Sequence, residues 1–262
     1  MNFRVFFFLF SLCAIMYACT HESDDLTGAE PKKLYKDEQL FEAKITAIEN
    51  DTSLYVLKSL AYNNNDGSTE EAAAYLDEAQ NEVKIEEYFS DHENGNYGKK
   101  FFFVEKGKMF ASKEIYFDNQ LKTPSFVERI SYYDKKGKVL FTKMRKSFYE
   151  EDLDEQNFEV SPKYKCPIDN VMNMLNQEGK FVSTFQGFVK NDGILYLLVG
   201  ENKPNGYTAA LVVQYADKVI RELQRNEKEL IGSPLDIQYE VGSDINNLTY
   251  RVLISASFNN LK

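Results

Sequence analysis

Phe101-Phe102-Phe103-Val104-Glu105-Lys106-Gly107-Lys108-Met109-Phe110-Ala111 places two apolar runs on either side of Lys106-Gly107. A glycine between two such runs supplies the positive φ that a tight hairpin turn demands, so the segment reads as two antiparallel strands. Thirty residues further on, Ile130-Ser131-Tyr132-Tyr133 and Val139-Leu140-Phe141 flank Lys135-Lys136-Gly137 in the same way. Upstream, Val83, Ile85 and Phe89 alternate with Lys84 and Glu86, which is the period of a half-buried strand. Ala72-Ala73-Ala74-Tyr75-Leu76 has the propensity of a helix, but Gln80-Asn81 and the Val83 strand follow at hairpin distance, which favours a strand. These segments together predict an antiparallel meander.

Before the meander, Leu34, Phe41, Ile45 and Ile48 recur at helical spacing, predicting a helix from about Lys36 to Asn50 that covers one face of the sheet. Residues 53–62 fit neither period, and Asn63-Asn64-Asn65-Asp66-Gly67-Ser68 is a loop. The acidic run Glu150 to Glu155 closes this first unit, and Pro162 and Pro167 mark a polar linker over 161–178.

Beyond the linker the order is three strands, one helix and two strands. Phe181 to Lys190 turns through Asn191-Asp192-Gly193 into Ile194 to Val199, and Lys203-Pro204-Asn205-Gly206 turns into Tyr207 to Gln214. Val219, Ile220, Leu223 and Leu230 suit a helix over 216–228, and Leu235 to Val241 and Leu248 to Phe258 complete the set. This order resembles an OB-fold barrel, in which a helix lies between strands three and four, and Gly187 suits the sharply coiled first strand. The resemblance implies a mainly β (α+β) protein: a helix on an antiparallel sheet over 34–160, then a small OB-like β-barrel with one helix over 179–262. It also implies a ligand surface on the second and third strands, where Tyr196 and Tyr207 offer ring faces and hydroxyls to a sugar or peptide.

The first residues carry an address. Met1-Asn2-Phe3-Arg4 holds one positive charge, and Val5 to Ala18 is apolar except for Ser11. At 1.5 Å per residue this run reaches only about 21 Å, short of the roughly 30 Å hydrocarbon core, so residues 1–18 read as a signal peptide rather than a spanning helix. Met16-Tyr17-Ala18-Cys19 resembles the lipobox of Gram-negative bacterial lipoproteins, with Met16 where Leu is commonest and Tyr17 bulkier than usual. The resemblance implies acylation of Cys19, which becomes the new N-terminus and anchors residues 19–33 as a tether. Each buried methylene contributes about 0.8 kcal/mol, and the family's cysteine carries three chains, so release would be negligible. Thr20 stands where an Asp retains many lipoproteins in the inner membrane, and Glu22-Ser23-Asp24-Asp25 resembles the acidic signal for surface export. The implied location is the outer membrane, with the cell surface open.

Cysteine usage agrees. Cys13 leaves with the signal peptide and Cys19 is acylated, so Cys166 has no disulfide partner and reads as a small packed residue. The two histidines, His21 in the tether and His92 in the polar turn 91–98, are too few for a histidine-rich metal site, and neither is positioned to serve a Ser-His-Asp or Cys-His centre. No Walker loop, GxGxxG or GxSxG segment occurs. Glu70-Glu71, Glu86-Glu87 and the 150–155 run read as solvated surface, and the last lacks the spaced oxygens and glycine of a calcium loop. Residues 179–262 hold nine basic and nine acidic side chains, which gives no excess cation for a phosphate backbone and argues against nucleic acid. The expectation is a non-enzymatic outer-membrane or cell-surface lipoprotein, without cofactor or metal, that binds a glycan, a peptide or another envelope protein. The alternatives are an inhibitor of a host or rival enzyme such as a lysozyme, which would need a protruding loop such as the 91–98 turn, and a carboxylate-based hydrolase.

Overall fold

A computed structural model describes residues 31–245 and 249–259; the expected signal peptide, Cys19, His21 and most of the expected tether lie outside them. The chain opens with helix α1 (Pro31–Glu49), which begins before the expected Lys36. Proline is well placed at a helix start, where its missing N–H has no partner to lose. Two short strands follow, β1 (Tyr55–Lys58) and β2 (Tyr62–Asn63). Then comes the meander: β3 (Thr69–Leu76), β4 (Glu82–Asp91), β5 (Asn96–Glu105), β6 (Lys108–Asp118), β7 (Ser125–Tyr133), β8 (Val139–Ser147) and β9 (Glu159–Ser161), each antiparallel to the one before. Lys106 and Gly107 both take positive φ (53° and 71°), the two-residue turn that matches the twist of the flanking strands. The look-alike hairpin turns differently, through five residues in which the Asp134 carboxylate accepts from the N–H groups of Lys136 and Lys138.

Both faces of the meander are covered, which is why Phe101 to Val104 is apolar without alternation. On one face Phe41 of α1 packs on Phe110 and Tyr132, at 6.2 and 5.4 Å between ring centroids. The opposite face carries Ile85 and Phe102, both buried. They meet the segment expected to be a linker. That expectation needs correcting: residues 161–178 contain helix α2 (Asp169–Asn176), whose Val171 and Met174 are fully buried, and Cys166 is buried beside them. Val171 and Met174 stand three apart on one helical face, a pair too brief to mark a helix between polar residues.

Strands β10 (Thr184–Asn191), β11 (Ile194–Gly200) and β12 (Thr208–Val212) form a second antiparallel set, followed by helices α3 (Lys218–Arg225) and α4 (Glu227–Leu230) and strands β13 (Leu235–Ser243) and β14 (Thr249–Phe258). One helix was expected here; Asn226 leaves helical geometry and divides it into two. The Asp217 carboxylate caps α3 by accepting from the N–H of Ile220 at 2.8 Å. The second set is joined to the first. β12 pairs antiparallel with β2 at Thr208↔Asn63 and parallel with β14 at Val212↔Val252, so the fourteen strands among the described residues belong to one open, mostly antiparallel sheet. The core is likewise shared: Leu60, Tyr62, Ile85 and Phe102 lie in one buried cluster with Met174, Phe185, Leu211 and Leu223.

Candidate functional site

Register places charges of alternating sign side by side on the face opposite α1. Glu87 stands across from Lys100, Lys100 across from Glu114, and Glu114 across from Arg129. Opposite charges directly across a sheet attract, and here they are out of water: Glu87 is 1% exposed and Glu114 5%. Lys100 Nζ lies 3.0 Å from Glu87 Oε1, and Arg129 Nη1 lies 3.4 Å from Glu114 Oε2. The segment leading into α2 covers this row. Tyr164 donates its hydroxyl to Glu114 at 3.3 Å and lays its ring 4.3 Å from the Arg129 guanidinium. Asn170 Nδ2 donates to both Glu87 Oε1 (3.0 Å) and Glu70 Oε2 (2.6 Å), while Lys180 Nζ reaches Glu70 Oε1 at 2.7 Å. Burial, reinforced by Glu114 nearby, pushes the Cys166 thiol far above its usual range, as a packed rather than a reactive cysteine requires.

Glu70, Glu86 and Glu87 are therefore not solvated surface, and that reading of the sequence is corrected. Each carboxylate is buried: Glu86 is paired with Lys84 of its own strand and Tyr75 of β3, while Glu87 and Glu70 take partners from β5 and the 164–181 segment that linear spacing does not reveal. Along this row opens a polar cleft of about 460 Å³. Its buried carboxylates, Glu70 and Glu87, are already held by Lys100, Lys180 and Asn170, so the cluster serves first to tie the 164–181 segment to the sheet.

Tyr207 ends at this cleft, with the Lys180 ammonium 4.5 Å from its ring centroid and the Phe181 ring at 5.5 Å. Tyr196 is half-buried and distant: it pairs with Val212 at one end of β11, whereas Tyr207 precedes the Gly200↔Thr208 pair at the other. At about 3.4 Å per residue that separates the two by roughly 15 Å, so they do not form one site. His92 has its ring against Gly67 and its N–H bonded to Ser68 Oγ at 3.0 Å. The 91–98 turn is short, and Asn119 and Gln120 tie it down by donating to Asn94.

The α1 face offers a different surface. Helix α1 ends at Glu49, whose carboxylate lies 3.9 Å from Lys113 Nζ, whereas β6 runs on to Asp118, so α1 does not reach the far end of the sheet. There Tyr97, Phe117 and Phe126 form a trio on adjacent strands, with centroids 5.5 Å apart for Tyr97–Phe117, 6.0 Å for Tyr97–Phe126 and 5.2 Å for Phe117–Phe126. Tyr97 is 45% exposed and Tyr88 40%. Tyr88, Tyr97 and Phe126 line a cleft of about 590 Å³ whose rim carries Asn63, Thr69, Ser90, Lys99 and Glu150, with Phe117 stacked behind Tyr97. Gly98 fits its floor because any Cβ there would lie 2.3 Å from the Ile115 carbonyl oxygen. Tyr88 donates to Glu86 Oε2 at 2.8 Å; burial and this carboxylate push its phenol well up, so its hydroxyl stays protonated and its ring is held in place.

Volume and lining place the aromatic cleft within the range of small-molecule sites, about 300–1,000 Å³. Tyr88, Tyr97 and Lys99 were not singled out from the sequence. No local signal marks them, because their exposure depends on where α1 ends over the sheet. The chain matches no known protein-family model, no curated protein and no solved structure.

Proposed function

We propose that this is a non-enzymatic, lipid-anchored protein of the outer membrane or cell surface that holds a ligand in the aromatic cleft. The observation that carries the reading is the cleft itself: Tyr88 and Tyr97, on the adjacent strands β4 and β5, stand open to solvent beside one concave space of about 590 Å³. Exposed rings grouped on rigid strands mark recognition surfaces. A non-enzymatic role is supported by Glu70 and Glu87, the two buried carboxylates of the polar cleft, which are bound to lysine and asparagine rather than turned to a reactant. The anchor rests on Met16-Tyr17-Ala18-Cys19 and the acidic tether behind it.

We also read strands β10–β14 as OB-like in connectivity. Support comes from the parallel β12–β14 pairing and from the Thr184↔Pro234 bridge, which brings the start of β13 back to β10. In that reading the helix between the third and fourth strands buries Ile220 and Leu223.

Two experiments test the proposal. Metabolic labelling with an alkyne fatty acid should mark the wild type and not Cys19→Ser, and equal labelling overturns the anchor. Amide hydrogen exchange with fractionated polymers of the medium and envelope should slow at residues 88–90, 97–99 and 115–117 with at least one fraction. Unchanged exchange there with every fraction overturns the cleft as a binding site.

A further inference from the structure

We propose that the aromatic cleft takes a neutral oligosaccharide, an inference that rests on the binding role proposed above and names its ligand class. Charge decides first. The acidic residues lining the cleft each have a cation beside them: Glu70 has Lys180 at 2.7 Å, Glu71 has Arg251 at 2.7 Å, and Glu150 has Lys99 at 4.0 Å. Counting Lys180 and Arg251 behind the lining, its charges cancel, which leaves no excess charge to steer or hold an ionic ligand. The chemistry of the walls decides next. Tyr97 and Phe126 meet edge to face, and Tyr97 lies nearly parallel to Phe117, with 24° between their planes. That leaves an exposed ring face of Tyr97 for the C–H face of a pyranose, while the rim adds hydrogen-bonding groups of both kinds. Asn63 and Thr69 are exposed, and Lys99 and Glu150 are about half exposed (46% and 47%), supplying donors and acceptors to hydroxyls. A wholly apolar ligand would strip water from that rim without replacing its hydrogen bonds. A ligand with one apolar face, many hydroxyls and no charge matches both halves.

The test uses the full-length chain in detergent, titrated with maltohexaose, cellohexaose, xylohexaose, mannohexaose, an anionic oligogalacturonate and a mixed peptide pool. Binding is read by saturation-transfer NMR and calorimetry. One of the neutral oligosaccharides should bind, with at least a tenfold loss of affinity in Tyr97→Ala and a smaller loss in the rim variant Lys99→Ala. Tyr55→Ala, on exposed β1, should bind as the wild type does, and circular dichroism checks that each variant folds. Binding of only the oligogalacturonate or the peptides, still lost in Tyr97→Ala, overturns the neutral-sugar assignment and leaves the cleft as a site. Neutral binding that survives both Tyr97→Ala and Lys99→Ala overturns the location. Silence from every probe overturns the proposal, and unchanged amide exchange with every envelope and medium fraction overturns the binding role with it.

Discussion

Replacing Lys100 with methionine tests whether the buried charge row holds the 164–181 segment on the sheet. Methionine keeps an unbranched stem and removes the ammonium, together with its contact to the Phe89 ring 4.9 Å away. Burial alone would push the Lys100 pKa down, yet Glu87 at 3.0 Å outweighs it and holds the ammonium above its ordinary range. After the substitution Glu87, 1% exposed, keeps a single donor, Asn170 at 3.0 Å, and its Oε2 meets no donor among the described residues. Breaking a buried pair by removing one partner costs about 3–5 kcal/mol. The Lys100 side chain is 18% exposed, so water enters part of the gap, and the lower end, about 3 kcal/mol, applies. With a urea slope of about 3 kcal/mol per molar for a chain of this size, the midpoint should fall by about 1 M, read by circular dichroism. In Glu87→Leu/Lys100→Met no charge is stranded, and at least half the loss should return. A single-variant loss under about 1 kcal/mol, or two substitutions that simply add, would refute the argument.

Three further outcomes follow from the packing. Gly98→Ala forces a Cβ to within 2.3 Å of the Ile115 carbonyl oxygen and 2.6 Å of Tyr116 Cα, so overpacking should cost about 1–3 kcal/mol and lower the melting temperature; an unchanged melting curve contradicts the close approach. Burial tends to raise Glu86, but hydrogen bonds from Lys84, Tyr75 and Tyr88 outweigh it and hold its carboxyl below the ordinary 4.5. Its contribution is therefore complete above pH 4.5 and lost as pH falls through the folded value, so Glu86→Gln should flatten the acid limb of the stability curve, and an unaltered limb disproves the attribution. Cys166 should resist a maleimide at pH 7.5 in the folded protein and react in urea, as peptide mapping would show; rapid native labelling would contradict its burial.

What the sequence reveals and what it hides divides along the range of the interactions. The Lys106-Gly107 and Asp192-Gly193 hairpins are legible because a positive φ at two adjacent residues is a local demand that glycine meets. Alternation in β4 is legible for the same reason. The fate of Glu87 is not, because Lys100 is 13 residues away and Asn170 is 83 away, and only register and folding bring them together. The same charges that suggest solvent in isolation are buried once their partners arrive. Helix α2 escapes notice because eight residues between polar neighbours leave too short a periodic signal. Tyr207 is visible as an aromatic residue beside a strand, but Lys180 already occupies one ring face. Tyr97 is the mirror case: unremarked in sequence, it is open because a helix ends too soon.

The bonds to Ser59 and its neighbours have a consequence for how a copy of this protein is made. The Ser59 carbonyl accepts from Arg251, 192 residues later, and Lys58 from the Tyr239 hydroxyl, 181 residues later. Tyr62 in turn donates to the Phe181 carbonyl across 119 residues. The first strands to emerge therefore cannot complete their bonding until the last ones have been delivered, and loops of this length make such closure slow. A chain cut short before Arg251 keeps Ser59 and Glu71 without their cation and leaves β12 without its parallel neighbour. Strand β14 thus locks strands laid down nearly two hundred residues earlier, and a copy that lacks it stays open to proteolysis.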